Sequence, residues 1–380
     1  MELSLDDDRS LLMDTTRRFL AETVPIPTVR ALAEDHDGFD RGWWSRGAEL
    51  GWTSMLAPER LGGGSVSGTP VSDLALIAFE RGRAVAPGPF AAVNAALAAL
   101  SLADPSTPER DELLAAAIGG GAVVVLAADE QGLAWPCRDP GTHAVSDGRS
   151  LVIDGVKVAV EAARQADAIA VLARSPGGGR VLIAVPIDAR GVTVDPRRSV
   201  DITRRFGEVT LRGVAVPRSA MLTDDEAAID HCLDIATVLQ LAETVGALDR
   251  MLEMTRQWAF DRYTFGRPLA SYQEIKHRFA DMTLWLEASK ATVVAAARAA
   301  STYAPEAPEL VSAAASYVHD HGPELGQDCV QLHGGIGVTW EHDLHLYLRR
   351  VTLNALTFGT VRDHRERLAA LVLDGASGEC

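Results

Sequence analysis

Two stretches in the last part of the chain decide how it is read. One is Arg262-Tyr263-Thr264-Phe265-Gly266-Arg267-Pro268-Leu269, followed by Gln273, His277, Ala280 and Asp281. The other is Gln331-Leu332-His333-Gly334-Gly335-Ile336-Gly337-Val338-Thr339-Trp340-Glu341. Both interrupt long runs in which apolar residues recur at helical spacing: 225–262, 272–300, 308–331 and 342–372. Helices of that length bury one stripe against their neighbours, as in a bundle. Taken alone, Gly334, Gly335 and Gly337 read equally well as a tight turn between helices.

Toward the N-terminus the texture changes. Ala122-Val123-Val124-Val125-Leu126 is β-rich, and the turn dipeptides Asp147-Gly148 and Asp154-Gly155 flank Leu151-Val152-Ile153. Strand-like runs continue at 168–172, 181–185, 192–194 and 209–211, which predicts an antiparallel β domain with Gly177-Gly178-Gly179 at a hairpin tip. That triplet lacks the strand, Gly-rich loop and helix context of a phosphate loop. Earlier still, Leu11, Leu12, Thr15, Phe19, Val29, Leu32, Trp43, Trp44 and Leu50 keep helical spacing, broken at Pro25 and Pro27. Ala57-Pro58-Glu59-Arg60-Leu61-Gly62-Gly63-Gly64 is a loop by composition. Helical pattern returns at 71–84, at 89–102 and, after Pro105 and Pro108, at 109–118. An α, then β, then α order argues for an α+β fold rather than a wound parallel sheet. The expected divisions are 1–120, 121–223 and 224–380.

At 380 residues, with 47% hydrophobic and 23% charged residues, the chain has ordinary globular composition and room for two or three domains. Lys+Arg 36 against Asp+Glu 52 leaves a net charge of −16, which excludes a general affinity for nucleic acid or for an anionic membrane surface. Cys137, Cys232, Cys329 and Cys380 are scattered, with neither a disulfide framework nor a metal-ligand spacing. The acidic start, Met1 to Asp8, does not resemble a signal peptide. The most apolar stretch, Ala115 to Ala128, is broken by Gly119, Gly120 and Gly121 and falls short of the ~20 residues of a membrane span. A cytoplasmic chain is expected.

The two opening stretches resemble the signatures of the acyl-CoA dehydrogenase family, R-x-x-F-G-x-x-[IL] with a downstream Q, and Q-x-x-G-G-x-G-[FY]. Pro58-Glu59-Arg60-Leu61-Gly62-Gly63 looks like that family's N-terminal P-E-x-x-G-G loop, and Val214-Ala215-Val216-Pro217 like the V-x-V-P that leaves its β domain. The resemblance covers nearly the whole chain. It implies an N-terminal α-helical domain, a central antiparallel β-barrel domain and a C-terminal four-helix bundle, with FAD held between bundle and β domain and a neighbouring subunit completing the site. It further implies an acyl-CoA thioester as substrate and an electron-accepting flavoprotein as partner. Carried over residue by residue, Arg262, Phe265 and Gln273 should face the FAD of the partner subunit. Gln331, Gly334 and Gly335 should face its adenosine and pyrophosphate portion. The residue types suit this: an arginine offers a planar fork of donors to a pyrophosphate, and paired glycines let backbone approach a dinucleotide. His333 and His277 are read as packing or hydrogen-bonding residues.

Elsewhere the sequence departs from the family. The reaction removes an α-proton from the thioester while a hydride leaves the β-carbon, and the proton step needs a carboxylate. The position that usually holds this Glu, in Ala355-Leu356-Thr357-Phe358-Gly359-Thr360, is Phe358; the other known position falls on Ala236. The T-E-P-x-A-G-S-D loop is replaced by Ala127-Ala128-Asp129-Glu130-Gln131-Gly132. In Lys157-Val158-Ala159-Val160-Glu161-Ala162-Ala163, Ala159 stands for the tryptophan that covers the flavin, and Glu161 for the hydroxyl residue that bonds it. The CoA-holding arginine aligns with Thr237, although Asp234 matches. The half-site a subunit builds for its own flavin has thus decayed, while the half it lends is intact. This pattern resembles actinobacterial acyl-CoA dehydrogenases made of two chain types, two copies of each, that act on CoA thioesters of steroid side chains. In these, one chain carries the base and the other completes the FAD site.

Glu243 keeps a catalytic alternative open. It lies two helical turns, ~10 Å, beyond Ala236 on the same face, and a Glu desolvated over a flavin could have a raised pKa and act as base. Pairing within the bundle is the plain alternative. Asp129 and Glu130 are read as solvated loop charges, and Glu341, Asp343, Arg349 and Arg350 as ion pairs near a subunit interface. The competing functions are a base-less subunit of a heterotetramer, a homomeric dehydrogenase using Glu243, a flavin monooxygenase on the same fold, and a purely structural paralogue.

Overall fold

The computed structural model describes residues 5–35, 38–103, 107–146 and 148–377. Pro105, Asp147, Cys380 and the first four residues lie outside these.

The N-terminal part is helical: α1 (Asp7–Thr23), α2 (Ile26–Ala31), α3 (Arg41–Glu49), α4 (Pro70–Arg83), α5 (Phe90–Leu102) and α6 (Pro108–Ile118). Asp6 and Asp40 cap α1 and α3 by accepting from the amides of Arg9 and Trp43. Both α4 and α5 are buried nearly all round, so their apolar residues show no one-sided stripe. The loop at 57–64 contains a short 3-10 turn, Glu59–Leu61, ended by Gly62 at φ 84.

Eight strands follow: β1 (Val124–Ala127), β2 (His143–Ser146), β3 (Ser150–Glu161), β4 (Ala168–Arg174), β5 (Arg180–Pro186), β6 (Val192–Arg197), β7 (Phe206–Pro217) and β8 (Met221–Thr223). They pair in the order β6-β7-β3-β2-β4-β5-β8, with β1 added beside β4. Gly177 to Gly179 form the tip of the β4–β5 hairpin, as predicted. The sheet corrects the antiparallel expectation in one respect. It is mixed, because β1 and, at one residue pair, β2 run parallel to β4, and its pairing path runs open from β6 to β8. Parallel pairing requires a crossover, here the chain from β1 through β2 and β3, which alternation along single strands does not reveal.

The C-terminal part comprises α7 (Glu226–Asp261), α8 (Gln273–Ser301), α9 (Ala307–His333), α10 (Leu344–Asn354) and α11 (Val361–Ser377). The hairpin β9 (Tyr263–Thr264) with β10 (Arg267–Pro268) links α7 to α8, and the 3-10 turn Gly334–Val338 follows α9. The single run expected over 342–372 is two helices, broken where Phe358 takes φ 54 and Gly359 φ 100. Helices α4 and α7 cross with backbones touching. A Cβ on Gly82 would stand 1.9 Å from the Glu243 carbonyl oxygen, and one on Gly246 2.0 Å from that of Phe79. Glycine at both positions is what lets these helices meet, and the crossing brings Arg81 and Glu243 into one neighbourhood. Among the described residues, no helix is long and apolar enough to cross a membrane. Cys137, Cys232 and Cys329 are buried free thiols.

Candidate functional site

The two signature stretches come together at one end of the bundle. The Arg262 guanidinium lies 5.9 Å from the Trp258 ring, and Trp258 stacks at 5.3 Å on His333, the residue before Gly334. His333 is buried and donates from Nδ1 to the Cys329 carbonyl at 2.8 Å, a packing role. Arg262 is exposed, and among the described residues no carboxylate pairs with it. Phe265 is 99% exposed and sits at φ 50, in the left-handed region that a residue with a Cβ enters at a cost. With Gly266 at φ 82 it forms the two-residue turn of the β9–β10 hairpin, which needs positive φ at both positions, so the hairpin accounts for the backbone while no described residue covers the ring. Gln273 begins α8 with its side-chain amide 2.9 Å from His277 Nε2, and Gln331 is exposed at the end of α9.

The glycines of the second stretch separate by reason. A Cβ on Gly337 would stand 2.9 Å from both the Val330 carbonyl oxygen and His333 Cβ, so packing demands glycine. Gly334 has φ 66 and ψ −145, a conformation that favours glycine. Gly335 has neither a left-handed φ nor any atom within 4 Å of where its Cβ would stand. The fold of this chain does not require glycine there, whereas a ligand lying against the backbone would. Exposed donors, a bare aromatic and an open glycine are the kinds of group that a flat ring system and a pyrophosphate need.

The other half of the expected site is closed. Ala236 is fully buried, and Phe358 packs at 5.3 Å on Trp135 while its carbonyl accepts from His364 Nε2 at 2.9 Å. Asp234 pairs with Arg367 inside the protein. Glu161, the last residue of β3, is buried and bound by Arg204 Nη1 at 2.5 Å. Arg204 also pairs with Glu243, whose other oxygen accepts from Arg350 Nη1 at 2.8 Å. Arg350 continues to Asp201 through Nε at 2.5 Å, and to the Thr203 hydroxyl and the Ala86 carbonyl.

This arrangement corrects three expectations. Burial pushes the Glu243 pKa up, but Arg204, Arg350 and Arg81 together outweigh it and hold the carboxylate below its usual range. A general base needs the opposite shift. Arg350 is not near a surface; it is wholly buried, while Asp343 does pair with Arg30 at 2.8 Å. Nor is Glu130 a solvated loop charge: it accepts from Lys157 Nζ at 2.6 Å and from the amides of Gly141 and Thr142 at 2.7 and 3.0 Å. Asp129 beside it is pushed up to about 6 by burial, against the pull of Lys157. Sequence reading missed Arg81, Arg204 and Asp201. The Thr203-Arg204-Arg205 run before β7 carried no periodic signal, and the partners lie far away in sequence.

Residues 6–120 match the sequence model described as "Acyl-CoA dehydrogenase, N-terminal domain", and residues 227–373 the one described as "Acyl-CoA dehydrogenase, C-terminal domain". Acyl-CoA dehydrogenase IpdE2 of Mycobacterium tuberculosis is 29% identical over 375 residues, covering 96% of this chain and 98% of the relative. Among solved structures, a variant of the Tcur3481–Tcur3483 steroid ACAD aligns with a TM-score of 0.89 at 26% identity, over 98% of this chain and 99% of that one. The ChsE4–ChsE5 complex from Mycobacterium tuberculosis aligns at 0.88 and 23% identity, over 98% and 99%, a likeness of fold.

Proposed function

This chain belongs to the acyl-CoA dehydrogenase family, and we propose on that premise that it completes the FAD site of a neighbouring, base-carrying subunit in a heterotetramer with two copies of each chain. Bound there, FAD supplies the hydride acceptor for α,β-desaturation of an acyl-CoA thioester, the class on which the resemblance rests. Arg262 and Gln331 offer donors to the pyrophosphate side, Gly335 admits the close approach of a dinucleotide, and Phe265 presents a bare ring to the interface. This chain contributes no proton acceptor: Phe358 and Ala236 stand at the two base positions, and Glu243 is held ionised between arginines. The working carboxylate belongs to the neighbour. An electron-accepting flavoprotein is the further partner this reading requires. The two-protein names of Tcur3481–Tcur3483 and ChsE4–ChsE5 support a mixed assembly, and the steroid label of the first supports steroid-derived thioesters as the substrate class.

The observation that carries the reading is Phe265, whose ring is almost wholly exposed inside the family signature. The test is co-expression with a family member that has the Glu and the T-E-P-x-A-G-S-D loop. Arg262→Ala removes a charged hydrogen-bond donor, a loss of ~1.5–3 kcal/mol, or roughly 10- to 100-fold in FAD affinity of the complex. Arg262→Lys should recover only part, because an ammonium lacks the planar fork. Unchanged FAD occupancy in Arg262→Ala would refute the assignment.

A further inference from the structure

We infer that the seat this fold provides for a subunit's own flavin has been converted, in this chain, into a closed and charge-neutral ion cluster that excludes the flavin and ties the three parts of the chain together. The inference rests on the proposed function, because it takes Glu161 as the flavin-facing position. Three arginines, Arg81, Arg204 and Arg350, stand with three carboxylates, Glu161, Asp201 and Glu243, and all six are buried. They come from α4, the segment before β7, α10, the end of β3 and α7, so one cluster joins N-terminal helices, sheet and bundle.

The cluster is built rather than incidental. Arg204 bridges Glu161 and Glu243, and Arg350 bridges Glu243 and Asp201. Asp201 is in turn fixed by the Thr203 amide and hydroxyl at 2.8 and 2.7 Å. Arg81 donates to the Gly88 carbonyl at 3.1 Å and lies over the Trp52 and Phe90 rings at 4.7 and 4.9 Å. The cavity bordered by Glu161, Thr203 and Arg204 holds about 10 Å³. A single water needs roughly that much, whereas ligand clefts measure ~300–1,000 Å³. A three-ring flavin could enter only by displacing paired, buried charges, and each charge left behind would be desolvated without a partner.

The test uses the full chain by itself, titrated with FAD and followed by flavin fluorescence anisotropy. No saturable binding is expected at FAD concentrations that fill the mixed complex. Saturation at one FAD per chain would overturn the inference while leaving the lending role standing. The lending role fails separately, if Arg262→Ala leaves the FAD content of the mixed complex unchanged. The structural half is tested by thermal melts of Glu161→Leu, Arg204→Met and the double variant. Each single change strands a buried charge and should lower Tm by roughly 5 °C or more. The double change removes one charge of each sign and should lose clearly less than the two singles combined. Additive losses would overturn the cluster's role, and should a variant not fold, the titration of the unaltered chain still decides.

Discussion

Gly335 and Gly337 lie two residues apart and are glycine for different reasons, so they make a matched pair of tests. Gly337→Ala forces a Cβ onto the Val330 carbonyl and His333, and should destabilise the chain by about 1–3 kcal/mol, read as a lower denaturation midpoint. Gly335→Ala meets nothing in its own chain and should leave the midpoint within ~0.5 kcal/mol, yet lower the FAD content of the mixed complex. If Gly335→Ala left FAD content intact, the motif would be only a turn. The identity of these residues was legible from the sequence, as were Arg262, Phe265 and Gln331. Why each is needed was not, because conformation and packing room belong to three-dimensional structure.

At the scale of elements, the long helices were legible because their apolar spacing persists over many turns. The short strands β2 and β8 were not, since three or four residues cannot establish alternation. The break between α10 and α11 was hidden as well: Phe358 gives no sign that it will take a positive φ. The crossing of α4 and α7 was equally unreadable, because Gly82 and Gly246 look like ordinary weak points in helices. It yields a sharp prediction. Gly246→Ala improves helix propensity yet drives a Cβ to 2.0 Å from the Phe79 carbonyl oxygen, and should destabilise by about 1–3 kcal/mol or more. A neutral or stabilising effect in a urea melt would contradict the backbone contact.

For the whole molecule, stability should fall on mild acidification. Burial, helped by repulsion from His364, lowers His319 to about 3, and burial lowers His364 to about 4. Both stay neutral in the folded chain, while the unfolded chain takes up protons below pH ~6.5. Stability present above that pH is therefore lost as pH falls toward 4. The half-buried His231, lowered by burial to about 4, acts in the same direction. Asp129, raised by burial to about 6, opposes them, because its folded form binds a proton first. Near pH 5 the two fully buried histidines outweigh the aspartate by about one proton, a slope of roughly 1.4 kcal/mol per pH unit. Tm should drop between pH 7 and pH 5, and a rise would show that these histidines are charged in the folded chain. The closed half-site belongs to this scale too. The sequence showed that flavin-facing residues were missing at Ala159 and Glu161, but not that Arg204 and Arg350 had closed the space, since the contacts joining them come from distant segments. The central claim, that this chain lends a flavin site and holds none, is tested most directly by native mass spectrometry of the complex co-expressed with its base-carrying partner. Two copies of each chain with two FAD are expected, whereas four FAD in that assembly, or a stable flavin-free monomer of this chain beside its partner, would refute it.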